Sequence, residues 1–273
     1  MVEYACDINT KMPGGTMGAT EVAAAPKGGR VAASVDHGRR DRNFFLLMVA
    51  LIWLGILMGF GPEIVGRLQM HKPPFPAVVY FHAVVFVGWL CLLTAQVLLI
   101  RFRRAEFHRE LGVAGAALYG AMIVLGVTTS VVVDHHLFGK APGVASFLSI
   151  QLADMISFAV LGGAAIALRR SPGAHKRLMI LATICVANAG FTRWWGHGLE
   201  KLIGDGYWGN WAQLYLSDFL LIALLGVYDL VSRRRLYGAY VVGAVWGLGI
   251  EFVAIWLYVS PWWKPMATVL IGR

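Results

Sequence analysis

From residue 44 onward the chain alternates between long apolar runs and short polar links. A bilayer core about 30 Å thick is crossed by about 20 apolar residues in a helix. Seven runs meet or approach that length: 44–61, 78–100, 111–133, 144–168, 178–196, 211–231 and 236–259. The pattern predicts an all-α fold, a polytopic transmembrane bundle of about seven helices over residues 41–273. Residues 1–40 differ: they are rich in Gly, Ala and Thr, carry scattered charges and show no apolar period. They predict a disordered tail, too long and polar for the start of a signal peptide. The link 61–77, "GPEIVGRLQMHKPPFPA", holds four prolines and is expected to be an ordered loop.

Composition agrees. The chain is 58% hydrophobic and 14% charged, with mean hydropathy +0.64, where a soluble domain carries roughly 25% charged residues. The net charge of +9 does not point to nucleic acid, because the basic residues sit in short blocks between apolar runs. Counted by side, the tail and the links after the second, fourth and sixth spans hold 17 Lys and Arg, and the other side holds seven. By the positive-inside rule the N-terminus is expected in the cytoplasm and the C-terminus outside. Trp194, Trp195, Trp208, Trp211, Trp262 and Trp263 are expected to mark the outer interface. Cys6, Cys91 and Cys185 form no metal or disulfide spacing.

The chain repeats itself. "LADMISFAVLGGAAIALRR" and "LSDFLLIALLGVYDLVSRR" align without a gap at an offset of 64. Asp154 matches Asp218, Gly162 matches Gly226, and each aspartate lies fifteen residues before an arginine pair. The fourth and fifth spans and the sixth and seventh therefore read as a parallel hairpin repeat. Gly112, Gly115, Gly162, Gly163 and Gly226 are the expected close-packing positions.

Ionisable residues inside spans are expensive, so each marks a site. Asp154, Asn188, Arg193, Asp218 and Glu251 form the expected polar pocket, a transport site or a structural ion pair between the fifth and sixth spans. The histidines give two further sets. His82, His135, His136 and His197 fall on the outer side, where imidazoles can gather a metal or stand as interfacial residues. His108 and His175 sit in matching basic blocks, "RFRRAEFHRELG" and "LRRSPGAHKRLM". Topology explains the arginines but does not require the histidines. Either they anchor the helix ends at the interface, or, facing each other across a pseudo-axis, they hold haem b, with arginines on the propionates. His82, His108, His136 and His175 are thus the haem candidates, and no catalytic residue is assigned.

"FHAVVFVGWLCLLTAQ", "FHRELGVAGAAL", "HKRLMILATICVANAGFTRWW" and "LYLSDFLLIALLGVYDLVSRR" together resemble a widespread, largely uncharacterised bacterial group of multi-pass membrane proteins. HKRLM and YDL are the most specific pieces, and the likeness covers roughly residues 80–235. It implies a helical fold in the bacterial inner membrane and singles out His82, His108, His175, Arg177, Arg193, Asp218 and Asp229. A weaker similarity is to haem-bearing membrane cytochromes, which also carry histidines near helix ends. There the paired histidines share one helix, whereas here they lie at opposite ends of a span.

Three functions stand at this point: a redox component like a b-type cytochrome, a proton-coupled small-molecule transporter, or an accessory subunit of a larger membrane complex. The bilayer is the expected partner in all three, with other membrane subunits in the last. Whether the protein is an enzyme is left open.

Overall fold

The computed structural model of the chain describes residues 27–71, 73–141 and 143–273. The chain divides into Met1–Gly38 and Arg39–Arg273, and all the packing described lies within the second unit. Over residues 1–26 the expected tail lies outside the described residues; the backbone is helical from Lys27. The helices are α1 (Lys27–Gln69), α2 (Ala77–Arg101), α3 (Ala105–Leu137), α4 (Val144–Ala167), α5 (Pro172–Phe191), α6 (His197–Ile203), α7 (Tyr207–Arg233), α8 (Gly238–Val259) and α9 (Trp263–Leu270). A π turn, Thr192–Gly196, joins α5 to α6. Among the described residues, seven helical stretches are long and apolar enough to cross a bilayer.

The links follow from local chemistry. Pro172 opens α5 at a position where its missing N–H costs nothing. Gly143 takes a left-handed φ of 71° just before α4, a conformation glycine adopts freely. The proline-rich link is shorter than expected, because α1 runs through Pro62 to Gln69. One proline removes a single backbone bond, and transmembrane helices tolerate that. Beyond it, Arg67 donates to the Pro73 carbonyl at 2.6 Å and lies 3.6 Å over the Phe75 ring. The fifth span is also longer than expected, since the π turn carries it on into α6.

α4 sits at the centre, packed on α3, α5, α8 and α9, while α2 pairs with α3. Valines at 84, 113, 124, 231, 242 and 245 are exposed, an apolar exterior suited to lipid. Trp263 departs from the expected interface role. It is buried against Ala145, Leu148, Ala267 and Ile271, and its indole N–H donates to the Ser146 carbonyl at 3.1 Å.

The repeat has a packing counterpart. Gly162 leaves room for the Tyr119 ring and Gly226 for Tyr240. Each tyrosine hydroxyl donates to a carbonyl one turn earlier, Ala159 and Ile222 respectively. Elsewhere, Gly55 and Gly59 of α1 meet Gly190 of α5 with backbone against backbone, the close crossing that small residues four apart permit. A side chain at Gly59 would collide with the Gly190 carbonyl, which has no freedom to move aside. Gly59→Val is therefore expected to lose about 1–3 kcal/mol of stability through overpacking. Gly61→Val, at an open position, is the control, read by thermal unfolding in detergent.

Candidate functional site: carboxyls beneath a polar cavity

Asp154 on α4, Asn188 on α5, Asp218 on α7 and Glu251 on α8 come together around α5. Asp218, Glu251 and Asn188 are buried, at 1%, 3% and 4% exposure, and Asp154 is partly buried. The Asn188 amide donates to Asp154 Oδ2 at 3.1 Å, and the hydroxyl of the wholly buried Tyr215 points to Asp154 Oδ1 at 3.3 Å. Ser217 Oγ donates to Asp218 Oδ1 at 3.2 Å. Asp218 Oδ2 and both Glu251 oxygens have no hydrogen-bond donor. The three carboxyls lie within electrostatic reach of one another and of the buried Cys185 thiol.

Three of these helices, α4, α7 and α8, together with α6, line a cavity of about 350 Å³ toward the tryptophan-rich end. Its walls include Ser146 of α4, Glu200 of α6, Asp205 of the link before α7, Asn210 and Gln213 of α7, and Tyr258 of α8. At 1.5 Å rise per residue, Ser146 lies about 12 Å along α4 from Asp154, Gln213 about 7.5 Å from Asp218, and Tyr258 about 10.5 Å from Glu251. Between cavity and carboxyls stands an apolar layer of Ile150, Ala153, Leu214, Ala254 and Ile255, into which Tyr215 is packed.

Arg193 does not join this group. It sits in the π turn, half exposed, and pairs with Glu63 of α1 at 3.0 Å. It also donates to the Ala189 carbonyl at 2.7 Å and lies 4.5 Å over the Phe60 ring. The bridge expected between the fifth and sixth spans is instead a tie from α5 to α1. Depth along a helix does not fix direction around it, and Arg193 faces the other way.

The histidines divide by end. His108 on α3 and His175 on α5 are neighbours, with ring centroids 6.3 Å apart. His82 packs its ring 5.7 Å from Phe86. His135 Nδ1 bonds the Ile271 carbonyl at 2.7 Å, His136 lies 3.4 Å from Lys140 Nζ, and His197 pairs with Glu200 at 3.3 Å. Each of these has its own local partner. Among the described residues no three His, Cys, Asp or Glu are grouped to hold a metal ion. His136 is about 42 Å along α3 from His108, so the two cannot share one centre.

At the arginine-rich end Arg177 and Asp229, both wholly buried, form a two-pronged ion pair between α5 and α7. Beside it Asp41 of α1 accepts from Lys176 and, at 3.1 Å, from the Tyr228 hydroxyl. Phe44 stacks on Tyr228 with ring centroids 3.7 Å apart.

Sequence reasoning missed Tyr215, Asp41 and the cavity residues. Tyr215 was findable, because it precedes Asp218 by three residues and so shares its helix face. Asp41 lies among tail charges that gave no such signal. No protein-family model, no curated protein and no solved structure matches the chain. The chain is a multi-pass helical membrane protein.

Proposed function

We propose that the protein is a proton-coupled carrier of small molecules, with Asp154, Asp218 and Glu251 as the group that takes its coupling proton. The observation that carries this reading is the set of donorless oxygens on Asp218 and Glu251, buried inside the bundle and, among the described residues, in no ion pair. Several uncompensated negative charges cannot stand together there, because desolvating each costs several kcal/mol. A bound cation must neutralise them, and the proton is the smallest. Asn188 and Tyr215 orient Asp154 by donating to it.

The cavity above supplies an approach. Glu200 and Asp205 line it and draw cations toward a polar mouth. The apolar layer beneath keeps the carboxyls apart from it, as a carrier requires in its closed form. With the arginine-rich end in the cytoplasm, the cavity opens outside. Two ion pairs hold α1 to the fifth span, Asp41–Lys176 of α5 at one end and Glu63–Arg193 of the π turn at the other. They sit where gates of a rocking helix pair belong, on either side of the Gly55, Gly59 and Gly190 crossing.

The test is reaction with dicyclohexylcarbodiimide, which modifies protonated carboxyls in apolar surroundings, read by peptide mass mapping. Label is expected on Glu251 or Asp218 at neutral pH, and is lost with Glu251→Gln and Asp218→Asn. Energised vesicles are then screened for solutes that release an imposed proton gradient through the wild type and not through Asp218→Asn. Absence of label on all three carboxyls overturns the reading.

One observation favours a second reading, the redox component: the neighbouring imidazoles of His108 and His175, which nothing in the carrier reading uses.

A further inference from the structure

Four helices meet at the arginine-rich end around the histidine pair. His108 stands in the first turn of α3 and His175 in the first turn of α5. His108 Nδ1 lies 3.4 Å from the carbonyl of Gln96 on α2, and His175 Nδ1 lies 2.8 Å from that of Ala165 on α4. A carbonyl accepts but cannot donate, so these contacts put the proton on Nδ1 in both rings. Nε2 is then the atom with a free lone pair on each. Histidines that bind metals are held in this way, the second nitrogen donating to a carbonyl or carboxylate and fixing tautomer and ring orientation.

The spacing suits one centre between the rings. Two opposed imidazoles, each about 2.0 Å from one metal, place their centroids roughly 6 Å apart; the observed separation is 6.3 Å with planes at 90°. The Gln96 side-chain oxygen, on the residue that holds His108, is buried without a donor. The alternative for two adjacent imidazoles is mutual stacking at a membrane interface. That alternative does not account for both Nδ1 atoms being anchored to the backbone of separate helices.

We propose that His108 and His175 ligate one transition-metal centre through their Nε2 atoms, in a site separate from the carboxyl cluster. The ligand class is an imidazole-binding metal in two-sided coordination. Haem iron and a bare copper ion both take it, and the two sources are told apart by experiment. Arg104, Arg109, Arg169 and Arg170 flank the pair in sequence and match the carboxylates of a haem. The inference is independent of the carrier reading and deepens the redox one, on which its role in electron transfer rests.

The experiment uses the full-length protein in detergent, as purified and after separate loading with haemin and with copper(I). Absorption spectra, oxidised and dithionite-reduced, are recorded beside elemental analysis. In the haem arm, a Soret band with reduced α and β bands is expected. In the copper arm, no visible band is expected, but about one copper is retained per chain after desalting. Either signal must fall at least tenfold in His108→Ala and in His175→Ala and persist in His82→Ala and His136→Ala. His108→Gln and His175→Gln retain a side-chain donor for the carbonyl and guard against loss of fold, which circular dichroism checks. Failure of both haemin and copper to bind the folded wild type overturns the proposal, as does binding that survives both histidine replacements.

Discussion

Arg177→Leu is expected to cost about 3–5 kcal/mol of stability, among the largest losses available to any single substitution in the bundle. Arg177 and Asp229 are both wholly buried. Removing one partner strands the other as an unpaired charge in the interior, which costs about 3–5 kcal/mol. Asp229→Leu should do the same from the other side, leaving a guanidinium whose remaining acceptor among the described residues is the Gly173 carbonyl, at 2.9 Å in the present structure. The double variant Arg177→Met with Asp229→Leu should recover most of the loss, because no charge is then buried. Arg177→Lys should recover little. Lysine keeps the charge but cannot reproduce the paired Nε and Nη2 contacts to the two carboxylate oxygens. The measurement is a double-mutant cycle on thermal or denaturant unfolding in detergent. Additive losses in the double variant would show that the pair is not coupled.

The membrane architecture was legible because bilayer thickness imposes a length on every span. Its errors came from local chemistry that length does not report. Pro62 looks like a stop, yet α1 passes through it. The carboxyl cluster was legible for a related reason: an acidic residue in an apolar span is costly, so Asp154, Asp218 and Glu251 stood out one by one. Their meeting in one polar pocket was expected from their place inside the spans, and for Asp154 and Asp218 also from the repeat. Arg193 was assigned to the same pocket by depth, and the structure turns it toward Glu63. Tyr215 escaped notice because a tyrosine is unremarkable in a span until its hydroxyl is seen against Asp154. His108 and His175 were matched through the similarity of two basic blocks. The histidines at the other end had position in common but no shared pattern, and each is occupied locally.

Glu251→Met should raise stability by about 1–3 kcal/mol while abolishing any proton-coupled activity. Both Glu251 oxygens are buried without a donor, and an unsatisfied buried polar group carries its full desolvation cost, about 1–3 kcal/mol. Methionine fills a similar volume with a flexible apolar chain and removes that cost. It also removes one of the three carboxyls that must share neutralising protons beside Asp218 and Asp154. A residue whose loss stabilises the fold is kept for something other than the fold, as strained or desolvated active sites are. Asp154→Leu should behave differently. Asp154 accepts from Asn188 and Tyr215, so its removal leaves two buried donors unpaired and should destabilise. The contrast separates a cluster held for cation binding from one held for structure. Unfolding of Glu251→Met and Asp154→Leu beside the wild type reads the first half, and proton movement in energised vesicles reads the second. If Glu251→Met instead lowers stability by several kcal/mol, its carboxyl is satisfied by a partner in solution, and the orphaned oxygens no longer support a proton site.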